Sequence, residues 1–96
     1  MSSIRIVLAD DNDELRAYMS QYFQKQQDIS VVGEAANGLD VLKIIKEKQA
    51  DVLLLDIIMP SLDGFGVLTQ LQHLPAEKRP HVIAVTALGR DDFIRR

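Results

Sequence analysis

Four consecutive aliphatic residues, Val52-Leu53-Leu54-Leu55, run directly into an acid, Asp56. Such a run suits a strand buried on both faces, as in a parallel sheet with helices on either side. A parallel sheet needs crossover connections, and the rest of the chain supplies them. Ile4 to Ala9 is an apolar run broken only by Arg5 and ended by Asp10-Asp11-Asn12-Asp13. Leu15, Tyr18, Met19, Tyr22 and Phe23 then recur at the spacing of one helical face, with Asn12 or Asp13 available as its cap. A second strand is predicted from Ile29 to Ala36, followed by a turn at Asn37-Gly38. Leu39, Val41, Leu42 and Ile45 predict a second helix ending near Gln49. Beyond Asp56, the loop Ile57 to Asp63 contains Pro60, and Gly64 opens a third helix with Phe65, Val67, Leu68, Leu71 and Leu74 on its apolar side. Pro75 and Pro80 bracket a polar connection, and Val82 to Val85 form a fourth strand ending at Thr86. Gly89 precedes a charged segment that starts a fourth helix and stops at Arg96.

This alternation predicts an α/β domain with a parallel sheet and right-handed crossovers. A length of 96 residues fits a single domain, residues 1–96, and leaves it marginally stable. Apolar residues make up 47% of the chain, enough for a core. The net charge of −3 offers no basic surplus for neutralising nucleic-acid phosphates. The absence of cysteine excludes disulfides and is compatible with a reducing compartment. Met1 to Asp10 has no signal-peptide pattern, and no apolar run approaches the length of a membrane span. The expectation is a small cytoplasmic domain without membrane contact.

The chemistry is expected where apolar runs end in polar groups. In an open parallel sheet, ligands bind beyond the carboxyl ends of the strands. The first strand ends in Asp10-Asp11, the third in Asp56 and the fourth in Thr86. If the first and third strands are neighbours, three carboxylates converge and repel one another unless a cation joins them. Magnesium suits best, because it accepts one or two carboxylates while keeping waters and phosphate oxygens; calcium or manganese can substitute. A carboxylate beside such an ion can also attack phosphorus to give an aspartyl phosphate, and the Thr86 hydroxyl can donate to the new phosphoryl oxygen. Each feature has a plainer alternative. Acids at a strand-to-helix junction are usually caps, a lone Thr at a strand end is usually solvated, and His73, His81 and the Gln-rich stretch from Gln21 to Gln27 read as surface or packing residues. The coincidence of three compatible strand ends at one rim favours the functional reading.

The pair Asp10-Asp11, the string Asp56-Ile57-Ile58-Met59-Pro60-Ser61-Leu62-Asp63-Gly64 and the pair Thr86-Ala87 together resemble the response-regulator receiver signature of two-component signalling. Val7-Leu8-Ala9-Asp10-Asp11-Asn12 and Asp56-Ile57-Ile58-Met59-Pro60 look closest to the receiver half of the sporulation master regulators of endospore-forming bacteria. The resemblance implies a flavodoxin-like sheet with strand order 2-1-3-4-5. It implies Asp56 as phosphoacceptor and a magnesium site made by Asp11, Asp56 and the Ile58 carbonyl, with Asp10 acting directly or through water. Thr86 would be the switch hydroxyl, and the donor a phosphohistidine on a kinase or phosphotransferase. A signalling switch is implied rather than a turnover enzyme, with DNA contact only through an effector domain that these residues do not include.

The chain also departs from the family pattern. The fifth strand with its Lys-Pro pair, an aromatic switch residue and the fifth helix have no counterpart, so the expectation is a C-terminally truncated receiver. Lys43, Lys46 and Lys48 are poor substitutes for the missing lysine. The fourth strand would be a bare edge beside an uncovered apolar face, which predicts a homodimer, with a swapped or altered C-terminal segment as one form. Two other readings compete. A magnesium-dependent phosphohydrolase would place an acid two residues after its Asp nucleophile, where Ile58 stands here. A pseudo-receiver would bind partners without phosphorylation.

Overall fold

The computed structural model describes residues 3–56 and 64–85. Their elements follow the predicted alternation: β1 (Ile4–Ala9), α1 (Asp13–Gln24), β2 (Ile29–Ala35), α2 (Gly38–Glu47), β3 (Val52–Asp56), α3 (Gly64–Leu71), a single 3-10 turn (Ala76–Lys78) and β4 (His81–Val85). The strands form one parallel sheet in the order β2-β1-β3-β4. This is a flavodoxin-like α/β fold, and β1 and β3 are neighbours, as the convergence of the acids requires. Ile58, Thr86 and the expected start of a fourth helix lie outside the described residues.

Strand alternation assigns the two faces of the sheet. Val7, Ala9, Leu53 and Leu55 face α2 and α3, joining Val41, Ile45, Val67 and Leu71 in one buried cluster. Ile6 and Leu8 point the other way, and Glu34, the register partner of Leu8, meets Arg16 of α1 on that side. Burial on both faces of β3 is therefore uneven. Leu53 and Leu55 are wholly buried, whereas Val52 and Leu54 are half-buried. Ile83 of β4, the partner of Leu54, is 52% exposed.

The register of β2 against β1 shifts once. Ile6 pairs with Val31 but Val7 pairs with Gly33, leaving Val32 as an extra residue. Gly33 lies where α2 crosses the strand, and a Cβ there would sit 2.7 Å from Ile44 Cγ2. The glycine thus sets how closely the helix approaches the sheet.

Helix faces differ from the sequence expectation at four residues. Tyr18 and Tyr22 of α1, Leu39 of α2 and Phe65 of α3 are all exposed. Leu39 and Val41 are two residues apart, as are Phe65 and Val67, and so stand about 200° apart around a helix axis. Val41 and Val67 are fully buried, so their partners face solvent. In α1 the inward stripe is Leu15, Arg16, Met19, Ser20 and Phe23, rotated away from the tyrosines. Tyr22 instead packs edge-on against Phe23, with ring centroids 5.4 Å apart.

At the amino ends of the strands, Asp51 joins three of them. Its N–H donates to the Arg5 carbonyl at 2.7 Å, its carboxylate accepts from the Arg5 N–H at 2.9 Å, and its carbonyl accepts from the His81 N–H at 2.9 Å. These bonds anchor one end of the sheet and leave the carboxyl rim for chemistry.

Candidate functional site

Asp10 stands immediately beyond β1 and is 3% exposed. Its N–H donates to the Ala35 carbonyl at 3.0 Å, which extends the β1–β2 pairing to the rim. Its Oδ1 accepts the Asn12 N–H at 2.8 Å, so the carboxylate is tied to its own turn. Asn12 then caps α1, with its Oδ1 accepting from Leu15 N–H at 3.0 Å. An asparagine, not an aspartate, does the capping, so the plainer reading of Asp10 and Asp11 as helix caps does not hold. Asn37 plays the same part for α2, accepting from the Asp40 N–H at 2.9 Å.

Asp56 is the last residue of β3 and is 5% exposed, while Asp11 is open to solvent. Carboxylate oxygens of Asp10, Asp11 and Asp56 all lie within 4.8 Å of one another. Two of the three are buried, where like charges repel strongly and water screens them least. The donor set is oxygen only, with one carboxylate facing solvent. It fits a hard divalent cation that keeps waters on its open side.

The three acids expected at one rim do meet there, and Arg16, which no sequence motif marks, stands beside them. Its side chain is 17% exposed, and the guanidinium reaches the end of β1, the first turn of α1 and β2. Nη1 donates to the Asp10 carbonyl at 2.6 Å, Nη2 to Asp13 Oδ1 at 2.7 Å, and Nε lies 3.4 Å from Glu34 Oε1. The one trace of it is Glu34, the single charge in β2, which does not by itself name a partner. His73 and His81 are exposed, as the surface reading expects.

The sequence matches the response regulator receiver domain family over residues 6–96. The chain belongs to that family. Solved structures agree with the assignment. The signal receiver domain of the NarL response regulator of Mycobacterium tuberculosis superposes with a TM-score of 0.81 at 28% identity, over 99% of this chain and 75% of that one. The response regulator domain of Thermotoga maritima CheB gives 0.79 at 32% identity, over 93% of this chain and 64% of that one. A chain in the complex of the CheA3 P1 domain with CheY6 from R. sphaeroides gives 0.75 at 27% identity, over 96% and 70%. Receiver domains are signalling domains of two-component response regulators, phosphorylated on an aspartate, and they interact with histidine kinase or phosphotransfer domains. They bind a divalent metal at an acidic cluster, and Asp10, Asp11 and Asp56 form such a cluster in this receiver. No helix among the described residues is long and apolar enough to cross a membrane.

Proposed function

We propose that this receiver is a phosphorylation switch in which Asp56 accepts the phosphoryl group from a phosphohistidine donor in a magnesium-dependent reaction. The observation that carries the reading is the convergence of the Asp10, Asp11 and Asp56 oxygens within 4.8 Å at the ends of two adjacent strands. An Asp56 oxygen attacks phosphorus in line with the leaving imidazole. The P–N bond breaks with its electron pair going to nitrogen, and the proton on the other ring nitrogen lets the imidazole leave neutral. Asp11 and Asp56, with the Ile58 carbonyl and with Asp10 acting directly or through water, would hold the magnesium, which neutralises charge on the transferring oxygens when bound. Thr86 would donate its hydroxyl to the phosphoryl oxygen and so convert a covalent event into a shift of the strand end. Asp56 is 5% exposed, which limits water at the acceptor and favours transfer to its carboxylate.

The wider setting follows the resemblance of the rim segments to sporulation master regulators. The reading is a cytoplasmic phosphorelay receiver controlling transcription of sporulation, with DNA contacted by a separate effector domain. Homodimerisation belongs to the same reading, with a swapped or altered C-terminal segment as one geometry. It is supported by the half-exposed Ile83 and the half-buried Val52 and Leu54 on one sheet face. Light scattering of the unaltered chain and of Ile83→Lys tests it: a monomer in both removes the dimer.

The decisive experiment is intact-mass spectrometry after incubation with acetyl phosphate and magnesium. The expected result is a hydroxylamine-labile phosphoryl adduct that requires magnesium and is absent from Asp56→Asn. An adduct that persists in Asp56→Asn would assign the acceptor elsewhere, and no adduct in the unaltered chain would favour a pseudo-receiver.

A further inference from the structure

We propose that Arg16 is the positioning residue of the acidic site, holding the Asp10–Asp11 peptide so that both carboxylates converge with Asp56 on one cation. The inference rests on the metal reading given above.

The peptide group between Asp10 and Asp11 is the hinge of the cluster. Its carbonyl belongs to Asp10 and its N–H to Asp11, and the ψ of Asp10 and φ of Asp11 on either side of it set how the two side chains stand relative to each other and to Asp56. Arg16 Nη1 holds that carbonyl at 2.6 Å, the shortest of the three contacts its guanidinium makes. The other two contacts fix the guanidinium. Nη2 bonds Asp13 in the first turn of α1, and Nε faces Glu34 on β2. Asp13 is 82% exposed and Glu34 39% exposed, so neither ion pair contributes much by itself. Their value is geometric, because a planar fork with two anchored edges presents its third donor in one direction.

Arg5 and Arg79 show the same chemistry in a purely structural setting. They bond the carbonyls of Gln49, Leu74 and Gln72, all at the amino rim of the sheet. Among the described residues, Arg16 alone makes this bond at the carboxyl rim, to the peptide of a cluster acid.

Charge and geometry make opposite predictions here. A guanidinium beside a cation site repels the cation, so if charge alone mattered, removing Arg16 would tighten metal binding. If Arg16 positions the acids, removing it weakens binding, as loss of an outer-shell partner typically does by about 10–100-fold.

The test is calorimetric titration of the full chain with Mg2+ for the unaltered protein, Arg16→Met, Arg16→Lys and Asp11→Asn, with urea midpoints measured in EDTA. The expected result is Mg2+ binding weakened about 10-fold or more in Arg16→Met and also weakened in Arg16→Lys, which keeps the charge but not the fork. Tighter or unchanged binding in Arg16→Met overturns the proposal, whatever the change in stability. Should Arg16→Met fail to fold by circular dichroism, Arg16→Lys decides alone: unchanged affinity there overturns it. Failure of the unaltered chain to bind Mg2+, or undiminished binding by Asp11→Asn, would instead overturn the metal reading and this inference with it.

Discussion

Neutralising Asp10 is expected to stabilise the metal-free protein while removing its response to magnesium. Asp10→Asn keeps an Oδ1 acceptor for the Asn12 N–H, so the turn beyond β1 survives and only charge is lost. At the 4.8 Å limit that bounds the three carboxylates, each like-charge pair is worth between about 0.9 kcal/mol at a dielectric of ~80 and about 3.5 kcal/mol at ~20. Asp10 belongs to two such pairs, one with buried Asp56 and one with exposed Asp11. The Asp10–Asp11 repulsion persists in part in the unfolded chain, because the two are neighbours in sequence, and that share cancels. A net gain of about 1–3 kcal/mol in EDTA at low salt is the expected balance. With a urea slope of about 2 kcal/mol/M for a small domain, the midpoint rises by about 0.5–1.5 M. Magnesium at about 100 times its dissociation constant stabilises the unaltered protein by about 2.7 kcal/mol, so the order of the two midpoints should close or invert when it is added. Raising the salt in EDTA should shrink the gap, since screening weakens the repulsion. Urea melts of both proteins under these three conditions make the measurement. An Asp10→Asn variant no more stable than the unaltered chain in EDTA would sink the claim that the carboxylates repel across the rim.

Other expectations concern the frame around the site. Leu53→Ala, at a wholly buried position of β3, should lower stability by about 2–5 kcal/mol in urea melts, and a loss under 1 would mean that the sheet repacks around the gap. Asn12→Ala should cost about 0.5–2 kcal/mol and speed amide exchange in the first turn of α1, whereas Asp13→Ala should leave that exchange nearly unchanged. Gly33→Ala should cost about 1–3 kcal/mol by pushing on Ile44, and a double-mutant cycle with Ile44→Ala should show the two losses to be less than additive.

The parts legible in sequence were those that depend on short-range pattern. All four strands were found because aliphatic runs end abruptly in polar residues, and β2 and α2 overran by only one or two residues at their ends. The pair Asp10-Asp11 and the single Asp56 are legible because each directly follows such a run, and the observed β1–β3 pairing brings them together. Helix faces were less legible, since Tyr18, Leu39 and Phe65 satisfy an apolar pattern without facing the sheet. Leu39 and Phe65 stand on the side of their helices opposite the fully buried Val41 and Val67, and Tyr18 lies outside the inward stripe of α1. Arg16 was illegible for a different reason. Its role arises from Glu34 on a neighbouring strand and from a backbone carbonyl that carries no sequence signature.

The extra residue in β2 has a consequence for how this sheet tolerates changes in chain length. Inserting or deleting one residue in a strand ordinarily exchanges its two faces. Removing Val32 would instead join Val31 to Gly33 in plain alternation, with Val31 still beside Ile6 and Gly33, Glu34 and Ala35 still beside Val7, Leu8 and Ala9. The strand carries a spare residue, and the acid-bearing end keeps its alignment whether or not that residue is present.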